Sequence, residues 1–208
     1  MDSNIVLPVN ITTYLHEENG VKIYYPQVTS LDSREVQKKM NDTIVHTVQQ
    51  LMERQYQEQD TDSFAQMIGT YELKTNERNI LSITFTNYAI RDMAAHGLTF
   101  MSSLTFNVKT GQKYELADLF KPNSNYVEVL SRIVQRQIVT RQIPVLEPFS
   151  GIRPNQDFYV ADKALVLYFQ QYELSPYYVG LPMFPISVFQ LSNIIAEDGP
   201  LGVMATNS

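Results

Sequence analysis

The sequence predicts an α+β fold, a mainly antiparallel sheet packed by two long amphipathic helices. Three observations carry that expectation. Val36, Met40, Ile44, Val48 and Leu51 recur at spacings of four and three, one apolar helical stripe. Leu81, Ile83 and Phe85 alternate with Ser82, Thr84 and Thr86, the period of a strand with one packed face and one hydroxylic face. Val127, Leu130, Val134 and Ile138, with Val129 and Ile133 beside them, draw a second helical stripe.

Taken in order, Ile5, Leu7, Val9 and Ile11 share one face of a first strand. Asn19-Gly20 supplies a hairpin turn, Val21–Tyr25 returns, and Pro26 closes the hairpin. A helix is expected from 32 to 57, capped by Asp32 or Ser33 with Glu35 in its first turn. Phe64–Lys74 and Ile80–Ile90 form strands across a polar connection, 75–79, and Leu98–Val108 adds a third. Laid against the helix, these make a three-stranded meander. Lys109–Gln112 is a tight turn, and Glu115–Phe120 is a short helical turn ended by Pro122. Asn123, Ser124 or Asn125 caps the second long helix, which Ile143-Pro144 stops. Phe158–Val160 and Ala164–Phe169 are strands across the turn at 161–163. Ile186–Ile195 closes the fold, and the tail after Gly199-Pro200 is expected to be loose. No fixed repeat and no low-complexity linker divides the chain, so 1–208 reads as a single unit.

Composition excludes several functions. The 208 residues carry a net charge of -6, against the clustered Lys and Arg that nucleic-acid binding requires. Charged residues are only 18% of the chain, whereas sixteen Gln, thirteen Asn, fourteen Ser and fifteen Thr give an amide- and hydroxyl-rich surface. With no cysteine there is no disulfide, thiolate metal site or cysteine nucleophile. The longest apolar run, Ala164–Phe169, is too short to span a membrane, and Met1–Asn4 lacks the regions of a signal peptide. His16, His46 and His96 have no metal-binding spacing, so no metal is expected. Phosphate-cradling glycine loops and nucleophile elbows are likewise missing, so neither a cofactor nor a catalytic residue is assigned.

Two segments remain as candidate binding residues. His96 lies in the loop Asp92–Gly97, where a ring hydrogen bond to a backbone carbonyl would pin the turn; a general-base role with a distant carboxylate is the sharper alternative. Tyr172, Tyr177 and Tyr178 lie between Phe169 and Pro182, and tyrosines among amides stack on sugar rings or anchor protein partners. In an extended loop, adjacent Tyr177 and Tyr178 would point to opposite sides, one inward and one outward.

Several of these stretches resemble a known family. Ala94-Ala95-His96-Gly97, Leu104–Gln112 and Leu116-Ala117-Asp118-Leu119-Phe120 look like the ordered motifs of domain of unknown function 3298. Phe158-Tyr159, Leu165–Phe169, Tyr172–Tyr177 and Gly180 look like its C-terminal signature. On this resemblance 96–197 corresponds to that domain, and 5–95 to its usual companion, domain of unknown function 4163. The resemblance implies an exported, extracytoplasmic protein of the Gram-positive cell envelope, anchored or secreted in its full-length form. Relatives form the lysozyme-binding part of an anti-sigma factor, and the N-terminal part of a peptidoglycan deacetylase whose catalysis resides in a separate domain. It therefore implies a non-catalytic binding or sensing module, with a lysozyme-like protein or cell-wall glycan as partner. A small cell-wall hydrolase using His96 is the alternative, and a structural spacer is the third reading.

Overall fold

Asn19 and Gly20 both adopt positive φ, 42° and 83°, and form the two-residue turn between β1 (Asn10–Glu18) and β2 (Val21–Thr29). The computed structural model describes residues 7–206. Of the expected first-strand residues, Ile5 lies outside them and Leu7 is exposed. The strand starts only at Asn10, because the side chain of Asn76 takes both the N–H and the C=O of Val9, at 3.3 and 2.9 Å. Pro26 does not close the hairpin; it lies within β2, opposite Thr13. That position alternates with the hydrogen-bonded pair Glu18–Val21 beside the turn, so its missing N–H costs β1 no ladder bond.

Helix α1 (Arg34–Glu58) follows, with Ser33 Oγ accepting the Val36 N–H at 3.3 Å as N-cap. Met40, Ile44, Val48 and Leu51 are buried as their spacing implies. Gln55 is buried too, donating to the Asn87 and Leu98 carbonyls at 2.9 and 3.1 Å. The helix is a crossover: β3 (Gln66–Glu77) lies parallel to β2 over Val21–Ile23. The expected three-stranded meander is thus the middle of a six-stranded sheet, ordered β1-β2-β3-β4-β5-β6, with β4 at Ile80–Ile90, β5 at Leu98–Asn107 and β6 at Gln112–Lys113. The β3–β4 turn is Arg78-Asn79, both at positive φ, so Thr75–Glu77 belong to the strand rather than to a loop.

The hydroxylic face of β4 is not wet. Leu81, Ile83 and Phe85 face α1, while Ser82 and Thr84 are equally buried on the other side. What covers them is a second sheet, β7 (Phe158–Ala161), β8 (Ala164–Tyr168) and β9 (Met183–Ser187). Backbone groups of β7 bond to the hydroxyls beneath. Val160 N–H donates to Ser82 Oγ at 3.0 Å, Thr75 Oγ1 donates to Val160 O at 2.9 Å, and Ser103 Oγ donates to Phe158 O. Ser82 and Thr75 can be buried here because their hydroxyls are paired with the β7 backbone.

Helix α2 (Tyr126–Arg141) buries Leu130, Val134 and Ile138 against this second sheet and ends with Gln142 at φ 53°. Its side chains also close the β9 edge, Gln137 and Arg141 donating to Pro185 O and Met183 O, each at 2.8 Å. As far as Thr206 the tail is ordered, contrary to the sequence expectation: α3 (Pro200–Ala205) buries Leu201 and Met204. Pro200 opens it at the position where a helix needs no N–H donor. Arg78 Nη1 donates to the carbonyls of Val203 and Thr206 near its end, at 2.9 and 2.8 Å.

Candidate functional site

The tyrosine loop begins where β8 meets the edge of β5. Gln170 grips that edge as a strand would: its Oε1 accepts from Met101 N–H at 3.1 Å and its Nε2 donates to Met101 O at 2.8 Å. Gln171 Oε1 accepts the Thr99 N–H at 2.7 Å. Leu174 and Ser175 are buried beneath the loop, so its middle is pinned from below. Tyr172 sits at φ 64°, and Gly180, at φ 77°, allows the chain to turn back into β9.

This frame brings three of the four candidate residues together. The Tyr177 ring lies between His96, with centroids 4.3 Å apart, and Tyr172, at 5.8 Å. Tyr177 is half-buried, and its hydroxyl donates to Gly97 O at 3.1 Å. Residues 177–179 form a 3-10 turn rather than an extended loop. Tyr178 consequently leaves the ring cluster and is 77% exposed. His96 is exposed, and its Nδ1 is 3.4 Å from the carbonyl of Gly97, its own neighbour. The ring thus rests mainly against Tyr177, tilted 33° to it. Gly97 is required at that point, because a Cβ would come within 2.4 Å of Ala89 O and 2.6 Å of the Tyr88 ring.

Tyr172 also borders a groove of about 340 Å³ that involves Phe149, Arg153, Gln156 and Glu173. Arg153 bridges two carboxylates, Glu173 at 3.0 Å and Asp157 at 3.6 Å. Glu173 also accepts the Gln170 N–H at 2.8 Å. Burial pushes the Asp157 carboxyl above the usual carboxylate value, opposed by the Gln170 hydrogen bond and by Arg153. Desolvation likewise raises the fully buried Tyr168 hydroxyl, which contacts Ser103 Oγ at 3.0 Å, and the Tyr159 hydroxyl. These buried phenols belong to the packing between the sheets. The groove offers an aromatic wall, an amide, a guanidinium and a carboxylate, a set suited to a polar ligand carrying a ring or a flat apolar face.

Sequence reasoning missed Arg153, Gln156, Asp157, Gln170 and Glu173. The one signal for them was the pair Gln170-Gln171 directly after an apolar strand, where solvent-facing charge is commoner than amide. Among the described residues no group of three or more His, Cys, Asp or Glu is placed to hold a metal ion, and no helix is long and apolar enough to cross a membrane.

Comparison with known proteins places these features in two family regions. Residues 14–99 match the model described as Deacetylase PdaC, and residues 117–188 match DUF3298, a protein family of unknown function. The anti-sigma-V factor RsiV of Bacillus subtilis is 26% identical over 196 residues, 88% of this chain and 67% of that protein. Esterase Rv3036c of Mycobacterium tuberculosis is 33% identical over 91 residues, 41% of this chain and 40% of that protein. Among solved structures, a DUF3298 family member from Bacteroides fragilis superposes with a TM-score of 0.71 at 12% identity, covering 97% of this chain and 99% of that one. One from Pseudomonas aeruginosa gives 0.68 at 14% identity, covering 98% of each. The chain thus resembles a PdaC-type region followed along the sequence by a DUF3298 region, on the fold that solved DUF3298 proteins share.

Proposed function

We propose that the chain is an extracytoplasmic binding and sensing module of the bacterial cell envelope, and that its ligand is a lysozyme-like protein or a peptidoglycan fragment. The observation that carries this reading is the cluster of tilted rings His96–Tyr177–Tyr172 with Tyr178 exposed beside it. Rings held in place before a ligand arrives bind at low ordering cost, and tyrosine is among the residues enriched at interface hot spots. Similarity to an anti-sigma factor over 88% of the chain supports a sensing role. Calorimetric titration with lysozyme and, separately, with muropeptides tests it. Binding of either that weakens in Tyr178→Ala supports the reading; binding of neither overturns it.

A second reading, a small cell-wall hydrolase that uses His96 with a distant carboxylate, draws support from the similarity to an esterase and from the deacetylase description of the family matched over 14–99, which includes His96. Release of acetate from aryl esters or from N-acetylated muropeptides, lost in His96→Ala at unchanged Tm, would establish it over the binding reading.

A further inference from the structure

We propose that β1 is a self-pairing edge, through which two copies of this chain join antiparallel into one continuous sheet centred on Tyr14. The register of the hairpin decides which backbone groups are free. Glu18 and Val21 flank a two-residue turn and form a hydrogen-bonded pair, so Asn10, Thr12, Tyr14 and His16 direct their N–H and C=O toward β2. Ile11, Thr13, Leu15 and Glu17 direct theirs outward. The same alternation holds on β2, where Val28 turns away from β1 and bonds the Asn41 side chain at 2.8 and 2.9 Å.

Among the described residues, three other strand edges are closed by side chains. Gln170 and Gln171 cap β5, Thr75 and Ser82 cap β7, and Gln137 and Arg141 cap β9. Among the described residues no hydrogen bond reaches the outward groups of β1. Of the features that block edge pairing, β1 carries only charge, Glu17 and Glu18 at the end beside the turn. Its nine residues contain no Pro and no Lys, and the ladder with β2 runs without a bulge. Tyr14 and Leu15, 46% and 47% exposed, sit at its middle, and Tyr24, 40% exposed, is next to them on β2.

The second copy fits because the strand complements itself. Tyr14 is the midpoint of Asn10–Glu18, so a two-fold axis there pairs all nine residues. It sets Ile11 against Glu17 and Thr13 against Leu15 of the second copy, outward group to outward group, for about eight backbone hydrogen bonds. The two Tyr14 rings fall in the close, non-hydrogen-bonded position, where aromatic pairs interact most. Charge agrees with this register: Glu17 faces Ile11 and Glu18 faces Asn10, so no carboxylate opposes another, and Lys22 already holds Glu17 at 2.8 Å. Any other register leaves strand residues unpaired.

Because the sequence contains no cysteine, Tyr14→Cys gives a clean test. In the close pair its sulfurs lie within disulfide reach, so mild oxidation should yield a covalent dimer, whereas Tyr178→Cys, at a more exposed position, should stay monomeric. Sedimentation of the unsubstituted chain should show a dimer whose dissociation constant rises at least about tenfold in Leu15→Pro, which deletes one outward N–H and leaves the bonds to β2 intact. Hydrogen exchange on the unsubstituted chain needs no variant: the Thr13 and Leu15 amides should slow as concentration rises. A chain still monomeric at about 1 mM, or a dimer whose concentration-dependent protection falls on other amides, overturns the proposal.

Discussion

The Val160 amide donates to Ser82 Oγ at 3.0 Å across 78 residues of sequence, and Ser82 in turn shares a hydrogen bond with Thr105 Oγ1 at 2.9 Å. This joins β7 of the small sheet to the middle of the large one at a point with no solvent access. Ser82→Ala leaves the Val160 N–H buried without a partner and should destabilise the fold by about 1–3 kcal/mol in denaturant unfolding. A loss below about 0.5 kcal/mol, the scale of an ordinary surface change, would mean that β7 is not held this way.

Helix α1 gives a prediction of a different kind, since its stripe packs without polar partners. Met40 and Ile44 are fully buried against β2, β4 and β5. Ile44→Ala removes a branched side chain between helix and sheet, and should cost about 2–5 kcal/mol, depending on how far the site collapses. Equilibrium unfolding in urea measures it; near-neutrality would contradict the helix-on-sheet packing.

The strongly periodic parts of this fold were legible from the residues. The stripes of α1 and α2 and the span of β4 follow from patterns of 3.6 and 2 that the packing then uses. What escaped was information carried by distant partners. Ser82 and Thr84 have the pattern of a wet face because a hydroxyl serves solvent and a crossing backbone equally well. The parallel pairing of β2 with β3 rests on three residues, Val21–Ile23, whose own sequence cannot announce direction. Helix α3 is a six-residue segment stabilised by burial of Leu201 and Met204 and by Arg78, far away in sequence. At the candidate site the aromatic residues stood out, whereas Arg153, Asp157 and Glu173 converge only through the return of the loop onto β5.

Asp157 makes stability depend on pH in a direction that can be worked out. Burial raises its carboxyl above the ordinary 3.8, so the native state holds the proton more tightly than the unfolded chain does. Its contribution is complete below the unfolded value and is lost as pH rises through the folded one. Asp157→Asn abolishes the titration and keeps an oxygen for Gln170. The unfolding free energy of the unsubstituted chain, measured relative to that variant, should therefore fall between about pH 4 and neutrality. A difference that stays level or rises over that range would show that Arg153 and Gln170 outweigh burial.

Tyr177 and Tyr178 separate packing from recognition at adjacent positions. Tyr177 packs against His96 and Tyr172 and donates to Gly97 O, so Tyr177→Ala empties the middle of the ring cluster and removes the hydroxyl bond to the carbonyl before β5. It should lower stability by about 1–3 kcal/mol and release His96. Tyr178 turns outward within the 3-10 turn and has little to lose on truncation, so Tyr178→Ala should leave Tm unchanged. As an interface anchor, however, it should be worth about 2–4 kcal/mol, a loss of roughly 30- to 1,000-fold in affinity. Pro176 and Pro182 bracket the turn and restrict it in the free protein, so the loss should come from missing contacts rather than from a loosened loop. Thermal unfolding and calorimetric titration of both variants against the same ligand distinguish the two roles. If Tyr178→Ala binds as the unsubstituted chain does, the partner face lies elsewhere and the tyrosine loop serves only to pack β8 onto the edge of β5.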